Sequence, residues 1–505
     1  MTRTKDFARV LRAEWTKLRT VRGWVLGLAG AALATVVVGL LGTAASGGSG
    51  PRGDRTGFPT GPGGEAVNDS FYFVHRTLEG DGSITVPVAS LTGLADDGRG
   101  GTGAGSAQPW AKAGVIVKKD LTQGSPYAAV VLTGGHGVRM QYDYTHDRAA
   151  PAAAGQAPRW LRLVREGDVL TGYVSADGAR WHQVGTARPS GLGRTVRAGL
   201  FAASPQARQE TPAGTGFVPA VATGTFGRPV LRGAWPDSGW SGTQVGGDAG
   251  TSGSYGNGTK GGFTQSGGTL AVTGAGDIAP VVGGPAMGPA YSPENFLVGG
   301  FAGLVVVIAV SAVFVTGEYR CGLIRTTLTA HPARGRLLTA KAVTVGGAAF
   351  AAGLVAAALV VPLGERSAED RGFRVFPVDT ATEARVVLGT ALLFAATAVL
   401  ALSLGALLRR GAAAVAVAVA AMVVPYLLAT SAVLPAGASE WLLRVTPAAG
   451  FAVQQTLPRY AQVLSVYEPS TGYHPLPPWA GFAVLCGYVV PAFGLALTRL
   501  RRRDA

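Results

Sequence analysis

Hydrophobic and polar positions follow two rhythms along this 505-residue chain. In the first, apolar residues run unbroken through Gly23 to Ala45, Phe296 to Thr316, Ala342 to Leu363, Val386 to Leu407, Ala412 to Leu434 and Pro478 to Leu497. Each run is close to the ~20 residues a helix needs to cross a ~30 Å hydrocarbon core. None holds Lys, Arg, Asp or Glu. Hydrocarbon offers the backbone no hydrogen-bond partner, so these runs are predicted as membrane helices. The other reading, helices of a large soluble core, requires shorter segments with polar faces.

The second rhythm occupies the roughly 250 residues between the first two spans. Residues 46–68 are rich in Gly and Pro and read as a flexible tether. From Asp69 the chain alternates with a period of two through SFYFVHRTL, SITVPVASL, AKAGVIVKK, YAAVVLTGG, VRMQYDYT, RWLRLVREG, VLTGYVSADG, HQVGTAR and VRAGLFAAS. Turn signals at Gly80-Asp81-Gly82, Glu166-Gly167-Asp168 and Ala176-Asp177-Gly178 separate them. Regular spacing and alternation predict an antiparallel sandwich of about nine strands over 69–204. Residues 205–295 are Gly-rich, with strand-like pieces such as GGFTQSGGTLAVTG, and are expected to return to the membrane as loosely packed strands.

Basic residues set the orientation, because Lys and Arg are retained on the cytoplasmic side. Arg3, Lys5, Arg9, Arg12, Lys17, Arg19 and Arg22 precede the first span; Arg320, Arg325, Arg334, Arg336 and Lys341 follow the second. Arg409 and Arg410 turn between the fourth and fifth, and Arg499, Arg501, Arg502 and Arg503 follow the sixth. Loop 364–385 mixes both signs. Both termini are therefore expected in the cytoplasm and 46–295 outside a plasma membrane. The excess of 44 Lys and Arg over 29 Asp and Glu then faces anionic lipid, and no nucleic-acid partner is expected. Cys321 and Cys486 are the two cysteines, so the outer domain has no disulfide. The first apolar run exceeds a signal-peptide core and reads as an uncleaved anchor.

Two segments at the basic end carry pattern beyond hydropathy. Over 6–21, Phe7, Val10, Leu11, Trp15 and Leu18 recur at helical spacing, which predicts an amphipathic leader lying in the interface with Trp15 and Leu18 among acyl chains. A plain juxtamembrane anchor fits the same pattern. In loop 317–341, Glu318 and Arg325 bracket Leu323, Ile324 and Leu328, one apolar face that suits a partner's groove or a mere connector, and Pro332 ends the helix.

The leader LRAEWTKLRTVRGW, the loop GEYRCGLIRTTL with HPARGRLLTAKA, the turn LGALLRRGAAAVA and the stretch WLLRVTPAAGFAVQQTLP together resemble an actinobacterial permease subunit of the type-2 ABC exporter family. With the six spans, these motifs account for roughly half the chain. The resemblance implies a coupling helix near Glu318, Tyr319, Arg320, Gly322, Arg325 and Thr326 that, with Trp15 and Lys17, touches an ABC ATP-binding subunit. It also implies a second permease chain, outward transport, and an outer-leaflet re-entrant segment at 440–457. No Gly-Lys pair, and hence no P-loop, occurs here. ATP and Mg therefore belong to the partner, and this chain is expected to be no enzyme and to hold no cofactor.

The outer segments AKAGVIVKKD, PRWLRLVREGDVLTGYVSADGARWHQVGTA and VRAGLFAAS are similar to concanavalin A-like jelly rolls. That resemblance implies an all-β sandwich inserted into a six-helix all-α membrane domain. Members often bind carbohydrate, and Trp110, Tyr142, Tyr144, His146, Asp147 and Trp181 are the candidate ligand contacts. Core anchors and turn formers are the alternative roles for the same residues. His75, His136, His146 and His182 lack metal-ligand spacing, so no metal site is expected. Two further classes compete with a permease: a membrane-anchored glycan or cell-wall sensor, and a membrane enzyme, which lacks a recognisable carboxylate pair.

Overall fold

The apolar runs become helices and the alternating segment becomes sheet. A computed structural model describes residues 2–45, 58–96, 102–151, 159–211, 214–236, 239–246, 261–282, 290–320, 322, 333–431 and 433–502. The chain divides into a helical unit, Met1–Ser49, Tyr291–Pro458 and Tyr467–Ala505, and a β unit, Gly50–Ala290 and Arg459–Val466.

Nine α-helices are found among the described residues of the helical unit: α1 (Thr2–Thr20), α2 (Arg22–Ala45), α3 (Pro293–Phe296), α4 (Gly300–Arg320), α5 (Arg334–Asp370), α6 (Thr380–Leu408), α7 (Gly411–Thr430), α8 (Ala436–Val445) and α9 (Pro478–Arg502). Six of them, α2, α4, α5, α6, α7 and α9, are long and apolar enough to cross a membrane. This is a membrane protein with a β-sandwich inserted between its first two spans. The third span is longer than its apolar run at 342–363: α5 has 37 residues, roughly 55 Å at 1.5 Å per residue, so its ends reach past the hydrocarbon. At the start of α6, Asp379 caps the helix by accepting from the Thr382 N–H at 3.0 Å. In place of one re-entrant helix at 440–457, α8 is followed by an eight-residue 3-10 helix, Pro447–Gln454, buried at every position.

Small residues set how closely the spans pack. A Cβ on Gly299 would sit 2.2 Å from the Thr35 carbonyl oxygen, one on Gly303 2.1 Å from the Thr35 hydroxyl, and one on Gly39 2.2 Å from the Phe296 carbonyl. The first two spans therefore cross backbone to backbone. Gly27 contributes against Val310, whereas Gly30 meets nothing within 4 Å. Gly299→Val is expected to cost about 1–3 kcal/mol by overpacking and to lower the melting temperature of the helical circular dichroism signal. Gly30→Ala should leave that temperature unchanged; equal melting of both variants would refute the crossing.

The β unit is a two-layer sandwich sharing one strand. Phe71–Asp96 is a continuous 26-residue strand, where Gly80-Asp81-Gly82 is expected to be a hairpin turn. Gly80 takes φ +64° and its N–H donates to the Arg194 carbonyl at 2.9 Å, so the turn chemistry makes a bend instead. Before the bend the strand pairs with Thr195–Ala203 and Ser241–Val245; after it, with Arg159–Glu166, Val230–Ala234 and Ala220–Phe226. The first layer continues through Lys112–Lys118, Tyr127–Thr133, Val138–Tyr142 and His146–Ala149. The second continues through Val169–Ser175 and His182–Ala187 on one side. On its other side Ala220–Phe226 leads to Thr269–Ala275 and Gly262–Ser266.

Alternate residues of the two layers, among them Val74, Val86, Val115, Val130, Leu161, Leu170 and Leu200, enclose the main core. Five described strands of the Gly-rich return, Ala220–Phe226, Val230–Ala234, Ser241–Val245, Gly262–Ser266 and Thr269–Ala275, are part of this sandwich, so it extends well past residue 204, while Ala207–Thr211 and Gly214–Val218 pair as a separate hairpin. Phe226, Leu270 and Val272 are buried in its core. The sheets pair through tight positions such as Gly199, whose Cβ would lie 2.0 Å from the Val74 carbonyl.

Candidate functional site

At the end of the helical unit that gathers basic residues, α1, α4 and α5 meet. Val10 and Leu18 of the leader are buried, Val10 against Leu337 and Ala340 of α5. The leader's apolar face thus packs on the bundle. Leu18 is not presented to acyl chains, and Trp15 points away with 48% of its surface uncovered. Other basic residues cluster at the same end: an Arg334 guanidinium nitrogen donates to the Leu500 carbonyl at 3.2 Å and Arg499 to the Leu407 carbonyl at 3.2 Å.

Between the three helices lies a buried ring of alternating charge. The Lys341 ammonium sits 2.8 Å from Glu14 Oε2 and 2.6 Å from Glu318 Oε1; Lys17 lies 2.6 Å from Glu318 Oε1 and 3.5 Å from Glu14 Oε1. Glu14, Glu318 and Lys341 are buried, and Lys341 also lies 5.1 Å from the Phe314 ring centroid. Burial disfavours the Lys17 charge, but hydrogen bonding and Coulomb attraction to Glu318 and Glu14 outweigh it and raise its pKa. Two carboxylates and two ammoniums cancel, which is how charge survives burial.

Glu318 is therefore turned inward, toward the leader and α5, and not toward an outside partner as a coupling contact requires. Tyr319 is half-buried under Arg409, whose guanidinium carbon lies 5.2 Å from the ring centroid. Arg320 is exposed, and Gly322 follows with φ +68°. Arg325 and Thr326 lie outside the described residues. Sequence reasoning missed Glu14 and Lys341. The Glu14/Lys17 spacing of three is the one short-range signal, since Lys341 lies 23 residues from Glu318 and the leader lies about 300 residues from both.

In the β unit, the outer face of the first layer is closed by the chain itself. Val67–Asp69 pairs with Ile278–Pro280, and Val67 and Ile278 join Phe71, Phe73, Tyr127 and Phe201 in a second apolar cluster. Two fully buried lysines are held under this cover. Lys118 donates to Asp69 Oδ2 at 2.7 Å, to the Tyr144 hydroxyl at 3.0 Å and to the Ser125 carbonyl at 3.0 Å; Lys112 pairs with Asp277 at 2.7 Å. Burial, then the Asp69 charge, holds the Tyr144 hydroxyl far above its ordinary pKa, so it remains a neutral donor. Tyr144 is a structural anchor, not a ligand contact.

The other candidates on this layer are also engaged internally. Trp110 is buried and stacks on His136 at 3.9 Å. Tyr142 stacks on His146 at 4.3 Å, and Asp147 pairs with Arg139 and accepts from Gln141 at 3.0 Å. Gln462, in the stretch of the β unit that lies between the fifth and sixth spans in sequence, donates to the Thr145 carbonyl at 3.1 Å. Among the described residues, no group of three His, Cys, Asp or Glu is placed to hold a metal ion.

Trp181 is different. It lies on the outer face of the second layer beside a cavity of about 640 Å³ lined also by Ser83, Thr85, Trp160, Arg162 and Arg232. The Arg162 guanidinium carbon stands 3.8 Å above the Trp181 ring, and Arg162 Nε donates to the Thr85 hydroxyl at 3.0 Å. Trp160 and Arg162 were legible as outward positions of RWLRLVREG but were not singled out.

No family model matches this chain. No curated protein matches it either. Among solved structures, similarity is found to the GH43 protein BlXynB of Bacillus licheniformis, 16% identical over 24% of each chain with a TM-score of 0.18. The chain thus spans about a quarter of that protein. A functionally unknown protein from Saccharomyces cerevisiae is 20% identical over 38% of this chain and 85% of the other, TM-score 0.18. Scytalido-glutamic peptidase, solved with a peptide-based transition-state analogue, is 10% identical over 42% of this chain and all of the other, TM-score 0.25. Overlaps this poor say nothing about activity.

Proposed function

We propose that this chain is the permease subunit of an ABC-type exporter, driven by a separate ATP-binding subunit and working with a second permease chain. The observation that carries the reading is the buried ring of Glu14, Lys17, Glu318 and Lys341. It fastens the leader to the facing ends of the second and third spans, so a push on the leader or on 317–341 is passed into both helices at once. A tether for an outer domain needs neither six spans nor this joint. The basic end is the cytoplasmic end in this reading, with the sandwich outside.

The partner's contact surface is then formed by what remains exposed beside the ring: Trp15, the outer side of Lys17, Arg320 and Gly322. Purified from its native membrane, the tagged chain is expected to carry a P-loop ATPase in near-stoichiometric amount. Trp15→Ala combined with Arg320→Glu should reduce that recovery at least tenfold while the chain remains inserted. A chain that always purifies without an ATPase would favour the competing reading, a membrane-anchored glycan or cell-wall sensor.

A further inference from the structure

The second layer of the sandwich presents an open face whose residues fall into rows. Pairing places Arg232, Ser83, Val164 and Thr171 in one row, Val230, Thr85, Arg162 and Tyr173 in the next, and Pro87, Trp160 and Ser175 in the third. All project from one side of the sheet, since side chains two apart share a face. Arg162 and Arg232 flank the central strand diagonally, roughly 12 Å apart at the backbone from strand spacing and rise.

Cations on a solvated sheet face ordinarily pair with carboxylates on neighbouring strands. Two acids, Asp81 and Glu166, also line the cavity, at the end where the Asp81 side chain accepts from the Gly167 N–H at 2.7 Å; Trp160 and Trp181 lie along the strand from them, with Arg162 between. Arg165 is spent on the Gly167 and Arg194 carbonyls at 3.0 Å each. Among the described residues Arg162 holds the Thr85 hydroxyl and the Trp181 face and no carboxylate. Burial, then the Arg232 charge, lowers its pKa; a bound anion would relieve that repulsion.

The rest of the lining adds ring recognition. Trp160 is braced from one side by Gly178, where a Cβ would come within 2.9 Å of the indole, and Trp181 is braced by Arg162. Rigid indoles with the hydroxyls of Ser83 and Thr85 suit a ligand that combines C–H faces with hydroxyls. Guanidinium forks suit carboxylates. We infer that this groove binds an acidic saccharide, one whose rings carry carboxylates, through Trp160, Trp181, Arg162 and Arg232. The inference stands apart from the transport reading and does not need it.

The test uses the full chain in detergent, with trigalacturonate, neutral galactotriose and inorganic phosphate as probes, followed by calorimetry. Trigalacturonate should bind saturably, at least tenfold more tightly than galactotriose, and more weakly as salt rises. Arg232→Gln, at an exposed position, and Trp181→Ala should each weaken it at least tenfold, while Lys119→Gln, exposed and outside the groove, should not. Absence of saturable binding, equal binding of galactotriose, or an unaffected Arg232→Gln variant would each overturn the inference. So would phosphate competing at concentrations equal to those of trigalacturonate, which would leave an anion site without sugar recognition.

Discussion

Lys341→Met should be among the most damaging single changes in the helical unit, and adding Glu14→Gln should undo more than half of the damage. The ammonium of Lys341 lies within 2.8 Å of both Glu14 and Glu318. Removing it alone leaves two buried carboxylates sharing Lys17. Breaking a buried pair in this way costs about 3–5 kcal/mol, which in a unit of this size lowers the melting temperature by roughly 10 °C. Neutralising Glu14 as well leaves the Glu318–Lys17 pair and restores a net charge of zero. Helical circular dichroism melts of the two variants decide the matter. If the double variant is less stable than Lys341→Met, the four groups do not act as one ring.

Lys118→Met is expected to have a comparable effect on the β unit. Asp69 would keep the Tyr144 hydroxyl at 2.7 Å and the Gly124 N–H at 2.9 Å but lose the Lys118 ammonium at 2.7 Å. A fully buried carboxylate without its cation again costs about 3–5 kcal/mol. Pairing Lys118→Met with Asp69→Leu removes both charges and should recover most of the loss. Thermal unfolding followed by the β-sheet infrared band separates this unit from the helices. Unchanged melting of Lys118→Met would mean that the buried pair contributes nothing.

How much of this was legible in the sequence depended on the range of the signal. The spans were readable because hydrocarbon imposes one rule on every residue of a helix. The existence of the sandwich was readable because alternation is local. What escaped was pairing at a distance: nothing near Glu14 or Lys341 points to Glu318. Turn chemistry misled at Gly80-Asp81-Gly82, because positive φ serves a bend as well as a hairpin. The aromatic candidates split by layer. Tyr144 lies under the cover that Val67–Asp69 and Ile278–Pro280 form, Tyr142 packs against the core between the layers and Trp110 stacks on His136, whereas Trp181 borders an open groove. The Gly-rich return read as loosely packed strands because contacts such as that of Gly274 on the Ala202 carbonyl, where backbones nearly touch, leave no side-chain pattern to read.

The strand shared by both layers also sets a timetable. Phe71–Asp96 leaves the ribosome long before Thr195–Ala203 and Ser241–Val245, the last partners of its first half. At about 5–20 residues per second, synthesis of the intervening stretch takes roughly 10–30 s. Until Thr195–Ala203 is made the first half of the strand has both edges bare, and one edge stays bare until Ser241–Val245 is made, a state from which intermolecular β-pairing begins. Whatever shields that edge must act for that long, and a pause in translation before residue 245 would lengthen the exposure.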